Sequence, residues 1–473
     1  MSGNGAVLLV VALETACGLG VLLLLRVARS SRDLLRLGGL APLAGMAWVG
    51  IAGATLATVG ARLSLLGLVL LTVVTCAAGG WSLRAASRVR PPADEPRRSR
   101  PRRPEMLVAA AAVAVIAALA GFALAAFHDK PLAEYDGWAI WGTKARAIAV
   151  LGSADTDVFT GAAYERLHLE YPLLLPALHA LPLQALDAYW SNTIILHCLA
   201  IGAAGLLALW SIYRDRVRPA VLLAFLAAIA AMPAFLTQLG WGYADVPLGV
   251  LVAAGVAAAA RWLVEPTTSW LALATLFLAA ATLAKNEGLL FAAGAYLTLV
   301  LVARGRRRAV AASAGVAAVV YAPWQLYTTL HGLERPDFEL SSSFDLPWVA
   351  GRLDRAPVAA RELLDRAYEP RQFGIVLVVA VAAALLCLAF GHRPLGLFAA
   401  GFGLFSLAGL TWIYVLTPYD LDFYLSTNSD RVVVAPIVGL AALAPLLVEE
   451  TARTLAARDG GQTSATPGSL VTR

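Results

Sequence analysis

Thirteen consecutive residues, Glu134-Tyr135-Asp136-Gly137-Trp138-Ala139-Ile140-Trp141-Gly142-Thr143-Lys144-Ala145-Arg146, hold two carboxylates, two tryptophans and two cations. A carboxylate such as Glu134 or Asp136 can act as a general base toward a hydroxyl, or ligate a divalent cation. Trp138 and Trp141 are three apart, so on a helix they share a face. They suit an interfacial aromatic belt, and their indoles also stack on sugars. Lys144 and Arg146 either pair with a phosphate or snorkel toward water. Four more polar clusters interrupt a very apolar chain: 168–172, 241–245, 285–287 and 420–431.

Each cluster supports a structural role and a chemical one. Tyr171 lies in His168-Leu169-Glu170-Tyr171-Pro172, and prolines at 172, 176 and 182 argue against a clean transmembrane helix. That stretch suits a re-entrant or surface-lying segment, either simple packing or the floor of a groove for a lipid chain. Asp245, two residues before Pro247, is either a helix N-cap worth about 1 kcal/mol or a carboxylate in a wet cleft. Lys285 is one of three lysines; it either pairs with Glu287 on the surface or binds a phosphate. Asp420 and Arg431 bound the only long polar run between the two C-terminal spans. Arg431 is expected to open the last helix, an unfavourable place in the helix dipole unless an anion adjoins it. Asp430 can be that anion, or a lipid-linked phosphate can.

The elements that must carry these residues are set by composition. Of 473 residues, 59% are hydrophobic and 14% charged, with mean hydropathy +0.72. Soluble domains carry about 45–50% apolar and about 25% charged residues. The excess lies in long runs, which predicts an all-α polytopic integral membrane protein. Candidate spans are 5–25, 38–59, 63–83, 106–127, 188–211, 219–238, 246–264, 268–284, 288–303, 309–329, 372–391, 394–416 and 432–449, about 13 in all. Arginine clusters at 26–36, 84–103, 214–218, 304–308, 393 and 453–458 fall between alternate spans. Placed in the cytoplasm, they set the N-terminus outside and the C-terminus inside, with all five polar clusters on the outer face. The net charge of +6 is therefore an orientation signal, not a nucleic-acid footprint. Cys17, Cys76, Cys198 and Cys387 lie in apolar runs without metal or redox spacing. The N-terminus lacks a basic n-region, so its apolar run reads as a retained helix.

Five regions follow. Residues 1–104 make a three-helix leader and a basic, proline-rich linker; 105–330 make the core, with an outer loop at 128–187. Residues 331–371 form an outer mixed-charge loop whose 352–368 part has helical charge spacing, either a solvated connector or a substrate lid. Residues 372–450 hold the C-terminal spans, and 451–473 a polar tail expected to be disordered.

In order and in common sidedness, these clusters resemble the GT-C superfamily of membrane glycosyltransferases that use polyprenyl-phosphate-linked sugars. The nearest likeness is to protein mannosyltransferases and aminoarabinose transferases. The matching positions are Glu134/Asp136, Tyr171-Pro172, Asp245 in Gly242-Tyr243-Ala244-Asp245, and Lys285 in Thr282-Leu283-Ala284-Lys285-Asn286-Glu287-Gly288. The likeness covers about 105–330 and extends toward Arg431. Tyr135 separates the acidic pair, which is usually adjacent, and the three leading spans are additional. The resemblance implies a GT-C-like bundle in the cell membrane with an extracytoplasmic site. It also implies an inverting single displacement, with Asp136 as base and Lys285 and Arg431 holding the departing phosphate. Glu134 and Asp245 are the alternative acids; Trp138, Trp141, Lys144, Tyr171, Glu287 and Asp420 complete the expected substrate-binding set. The implied partners are a polyprenyl-phosphate sugar, a glycan, lipid or protein acceptor, and membrane lipids. No cofactor is required, although the acidic motif leaves a divalent metal open. A lipid or sugar transporter is the rival class, and it predicts ionisable residues near mid-span and related halves.

Overall fold

A computed structural model describes residues 2–86, 103–186, 192–333 and 345–462. Most of the expected basic linker, and the last eleven residues of the tail, lie outside them. Among the described residues the chain is helical, with no strand. A bilayer offers no partners to backbone polar groups, so a chain this apolar has to satisfy them within helices.

Helices α1 (Gly3–Leu24), α2 (Ala41–Thr58) and α3 (Leu65–Ala86) pack together, with α1 against both others. After α4 (Arg103–Phe127) come the short α5 (Thr143–Leu151) and α6 (Leu174–Leu186). The middle of the chain forms α7 (Asn192–Tyr213), α8 (Pro219–Ala230), α9 (Pro233–Gly240), α10 (Asp245–Val264), α11 (Thr268–Thr282), α12 (Asn286–Val302) and α13 (Arg307–Leu330). The C-terminal part holds α14 (Arg355–Ala367), α15 (Val376–Phe390), α16 (Arg393–Leu416), α17 (Leu421–Val432) and α18 (Val434–Gln462). Among the described residues nine helical segments are long and apolar enough to cross a membrane, ten if α8 and α9 count as one. The protein is thus a multi-pass α-helical membrane protein by the length and composition of its helices. The expected spans at 268–284, 288–303 and 372–391 appear as α11, α12 and α15, with 15, 17 and 15 residues.

The hub is α10. Every residue from Asp245 to Trp262 is buried, against α7, α11 and α18 among others. Its small residues permit this: a Cβ on Gly255 would lie 2.8 Å from the Leu278 side chain, and Ala257 to Ala260 are fully covered. Apolar tails and apolar lipid are equivalent, so close approach of small residues, rather than hydrophobicity, holds such helices together. Two polar belts mark the ends of the bundle. Arg216 and Arg218, after α7, bond Glu450 at 2.9 Å and Glu449 at 3.0 Å on α18. Arg431 lies eighteen residues earlier, about 27 Å along a helix, close to the thickness of a bilayer core.

Four expectations change. The span at 219–238 is two helices bent by 53°, because Pro233 cannot donate into a continuous helix and instead starts α9. The proline-rich segment does not lie on the surface. Leu174 to Leu183 are all buried, with α6 packed against α1, α2 and α5. At 13 residues α6 is too short to cross, so the re-entrant alternative fits. The last helix does not start at Arg431: α17 begins ten residues earlier, and only Val433 separates it from α18. Arg431 therefore escapes the dipole penalty expected of a first-turn arginine. Finally, α18 runs through Gln462, so 451–462 is helical rather than disordered.

The mixed-charge loop contains α14, whose buried residues Ala359, Leu363 and Ala367 recur every four positions and face α16 and α17. Its outer face carries the Arg366–Glu362 pair at 2.7 Å and Arg361–Asp365 at 3.7 Å, as the charge spacing predicts.

Candidate functional site

Three glycines bring distant polar motifs together. Residues Asp136–Gly142 form a π-helical turn, the wide turn that adds one residue and often marks a functional site. A Cβ at Gly137 would lie 2.1 Å from the Trp241 carbonyl oxygen, so only glycine lets this turn press on the end of α9. Gly242 has φ +69, and this left-handed step redirects the chain so that Asp245 becomes the first residue of α10. A Cβ at Gly288 would lie 1.8 Å from the Ala281 carbonyl oxygen. That close approach of α12 to α11 sets Lys285, the residue before α12, beside Asp245.

The result is one connected ion network. Lys285 Nζ donates to Asp245 Oδ1 at 2.7 Å and pairs with Glu287 Oε1 at 2.9 Å. Arg431 donates to Asp136 Oδ2 and lies 3.6 Å from Asp245 Oδ2. Its guanidinium also sits 4.5 Å from the Tyr243 ring centre, a cation–π placement. Asp245 and Lys285 are almost fully buried, with side chains 3% and 4% exposed; Asp136 and Arg431 reach the rim at 18% and 16%. Burial works against the Lys285 ammonium, but Asp245 and Glu287 outweigh it and hold its pKa above the ordinary lysine value. Burial pushes the Tyr243 phenol up to about 12, against the pull of Arg431.

A small, partly open cleft lies beside the network. Its wall includes Glu287, Tyr171, Tyr414, Tyr424 and Val432. Tyr171 is held by stacking: 5.6 Å from Trp141 and 4.8 Å from His168 between ring centres. Lys144 fixes the backbone behind it, donating to the His168 carbonyl and, at 3.3 Å, to the Tyr171 carbonyl. His168 takes a left-handed conformation, φ +51, where its carbonyl meets that lysine. Burial lowers the Lys144 pKa to about 7, with Glu170 acting in the other direction.

Of the expected residues, Asp136, Asp245, Lys285, Glu287 and Arg431 meet in the network, and Tyr171 lines the cleft. Several roles differ from expectation. Lys144 neither snorkels nor faces outward, being completely buried on backbone carbonyls. Trp138 and Trp141 do not share an environment: Trp141 is buried and Trp138 is 48% exposed, because a π turn changes the angular step between them. Ala244 occupies the N-cap position of α10, so Asp245 is not the cap. The Lys285–Glu287 pair is interior rather than on the surface. Among the described residues Arg431 pairs with Asp136 and Asp245, whereas Asp430 is the neighbour its position in the sequence suggests. Asp420 caps α17, accepting from the Phe423 amide at 3.0 Å, and Glu134 is exposed.

Comparison of the chain with protein-family models, with curated proteins and with solved structures finds no match. The site's chemistry therefore rests on its own geometry. Among the described residues, no group of three or more His, Cys, Asp or Glu side chains is arranged to hold a metal. The acids of the network are directed at Lys285 and Arg431 instead.

One polar chain was not anticipated. Glu14, midway along α1, lies 3.3 Å from His197 Nε2; His197 Nδ1 lies 3.2 Å from His179 Nδ1; His179 Nε2 lies 3.7 Å from Cys198 Sγ. All four residues are fully buried. The available signal was Glu14 itself, an acid inside a 22-residue apolar helix, which marks an intramembrane polar partner by default.

Proposed function

We propose that the protein is a glycosyltransferase that moves a sugar from a polyprenyl-phosphate donor to an acceptor hydroxyl or amine, by inverting single displacement. The observation that carries this reading is the convergence of Asp136, Asp245, Lys285 and Arg431, 295 residues apart at the extremes, beside a tyrosine-walled cleft at one end of the helices. In this reading Arg431 exchanges partners. An arriving phosphate takes the guanidinium from Asp136, and the freed carboxylate accepts the acceptor's proton. Lys285 stays bound to Asp245 and Glu287 and contributes a fixed positive field that favours the departing phosphate. Apolar donor tails reach the site from the surrounding bilayer. The GT-C-like bundle, its roughly 13 crossings or re-entrant segments, the outer N-terminus and the cytoplasmic C-terminus belong to the same proposal.

The test is sugar transfer from a radiolabelled polyprenyl-phosphate sugar in proteoliposomes, with donor binding measured separately. Asp136→Asn keeps the shape and removes the base, and should slow turnover by about 10²–10⁴-fold with little loss of donor binding. Near wild-type turnover would take the base away from this turn and point to Asp245. For sidedness, single cysteines at 136, 170, 243 and 286 should label from outside and those at 216 and 306 from inside; opposite labelling of 136 and 243 would break the single-site reading.

A transporter has one observation in its favour, the Glu14–His197–His179 chain within the helices. Substrate movement across proteoliposomes without transfer would select it.

A further inference from the structure

The polar chain that starts at Glu14 joins three helices through atoms that can each hold or release a proton. Glu14 lies on α1, His179 on α6, and His197 and Cys198 are neighbours on α7. The contacts run end to end: Glu14 Oε2 to His197 Nε2 at 3.3 Å, His197 Nδ1 to His179 Nδ1 at 3.2 Å, and His179 Nε2 to Cys198 Sγ at 3.7 Å. Each imidazole uses both of its nitrogens, so the protons along the chain are ordered as a set.

A neutral imidazole has one N–H and one lone pair. The central contact joins two Nδ1 atoms, so one ring donates there and the other accepts. If His179 donates, His197 keeps its proton on Nε2 and donates it to Glu14, while the bare His179 Nε2 accepts from the Cys198 thiol. If His197 donates, its bare Nε2 accepts from a protonated Glu14, and His179 Nε2–H points at the Cys198 sulfur, which is a weak acceptor as well as a weak donor. Both orders satisfy all three contacts. They differ by one proton, and the first carries the charge of the Glu14 carboxylate whereas the second is neutral.

The surroundings bring no fixed charge to the chain. Among the described residues, the polar groups beside this part of α1 are Cys17 on α1 itself and Thr72, Thr75 and Cys76 on α3. Helix α2 has no titratable side chain from Ala41 to Thr58. On the other helices packed around these, the charged residues sit in first or last turns: Arg84 on α3, Arg103 and Glu105 on α4, Lys144 and Arg146 on α5, Asp245 and Arg261 on α10. The counter-charge within reach of a buried Glu14 carboxylate is therefore a proton on the chain itself.

We infer that Glu14, His197, His179 and Cys198 form a binding site for one proton, shared by α1, α6 and α7, whose occupancy reverses all three hydrogen bonds together. The proton binds at His179 Nε2, the Nδ1 proton of His179 passes to His197 Nδ1, and the Nε2 proton of His197 passes to Glu14 Oε2. One proton enters, one O–H bond forms, each ring ends with a single N–H, and no electrons leave the chain. Any movement of α1 against α6 and α7 that favours one order then takes up or releases a proton. The site shares no residue with the ion network and does not rest on the transferase reading.

The experiment needs no ligand. The full chain, with isotopically labelled histidine, is followed in lipid nanodiscs at stepped pH wherever it stays folded. Nitrogen–nitrogen coupling across the shared hydrogen bond identifies the ring pair by magnetic resonance, and an infrared carboxyl band lost in Glu14→Gln identifies the acid. On acidification the Glu14 band should appear while Nδ1 and Nε2 of both rings exchange protonated and bare signals, all with one midpoint. Cys198→Ala, three contacts away from Glu14, should move that midpoint by about half to one pH unit, the worth of one hydrogen bond, and Cys198→Ser should move it less. A carboxyl that titrates while the rings keep their tautomers overturns the inference. So do rings that titrate with Glu14 unchanged, a midpoint indifferent to Cys198→Ala, and the absence of any titration. If Glu14→Gln fails to fold, the ring signals of the unmodified chain and of the Cys198 variants decide: exchange of both rings at one midpoint, moved by Cys198→Ala, supports the site, and independent rings exclude it.

Discussion

Replacing Lys285 with methionine should destabilise the protein more than removing Lys285 and a partner acid together. Lys285 Nζ is 2.7 Å from Asp245 and 2.9 Å from Glu287, and its side chain is only 4% exposed. At an effective dielectric of about 20, each contact is worth roughly 6 kcal/mol of gross attraction. The several kcal/mol needed to desolvate each ion offset much of that. The net value of the pairs is therefore modest, but the single truncation leaves Asp245 buried with only Arg431, at 3.6 Å, to oppose its charge. Breaking a buried pair from one side typically costs about 3–5 kcal/mol. The double variant Lys285→Met/Asp245→Asn removes the stranded charge and should recover at least about 1 kcal/mol of that loss. Tryptophan fluorescence during heating, with size-exclusion elution in detergent, ranks wild type, both singles and the double. If the double is as unstable as the sum of the singles, the two side chains are not coupled and the network description fails.

Two further outcomes follow from buried groups. Glu14→Ala leaves the buried His197 without its partner oxygen and should lower thermal stability by about 1–3 kcal/mol, whereas Glu14→Gln, which keeps a hydrogen-bonding oxygen, should lose less; equal losses would mean that this oxygen is irrelevant. Burial lowers Lys144 to about 7 from an ordinary value near 10.4. Between these values the unfolded chain binds more protons, so this residue makes stability rise with pH from about 7 to 10 and leaves it flat below. Lys144→Met should flatten that slope in thermal melts at stepped pH, and an unchanged slope would assign it elsewhere.

The spans were legible because run length and hydropathy directly reflect the need to cross an apolar layer. The network's members were legible as ionisable residues in an apolar chain, since charge in such surroundings needs a reason. Their partners were not. Asp136 and Arg431 are joined by a glycine contact, Gly137 against the Trp241 carbonyl, that nothing local to either residue encodes. A 3.6-residue period puts Trp138 and Trp141 on one face, whereas the chain makes a π turn there that separates them. Arg431 was placed at a helix start because hydropathy falls there, while the helix itself continues outward to Leu421. Glu14 is hidden in the sequence because the apolar residues around it dominate the average.

That acid has a consequence for how the protein is made. Glu14 and its partner His197 are 183 residues apart. At synthesis rates of about 5–20 residues per second, roughly 10–40 s pass between their emergence. During that interval α1 has to enter the bilayer with an unmatched acid, opposed by about 2.5–3.5 kcal/mol on the insertion scale. Even with this acid included the helix reaches a mean hydropathy of 2.5, enough to carry it across. The rest of α1 can pack on α2 and α3 as soon as they follow, but its acid stays unmatched until α7 brings His197.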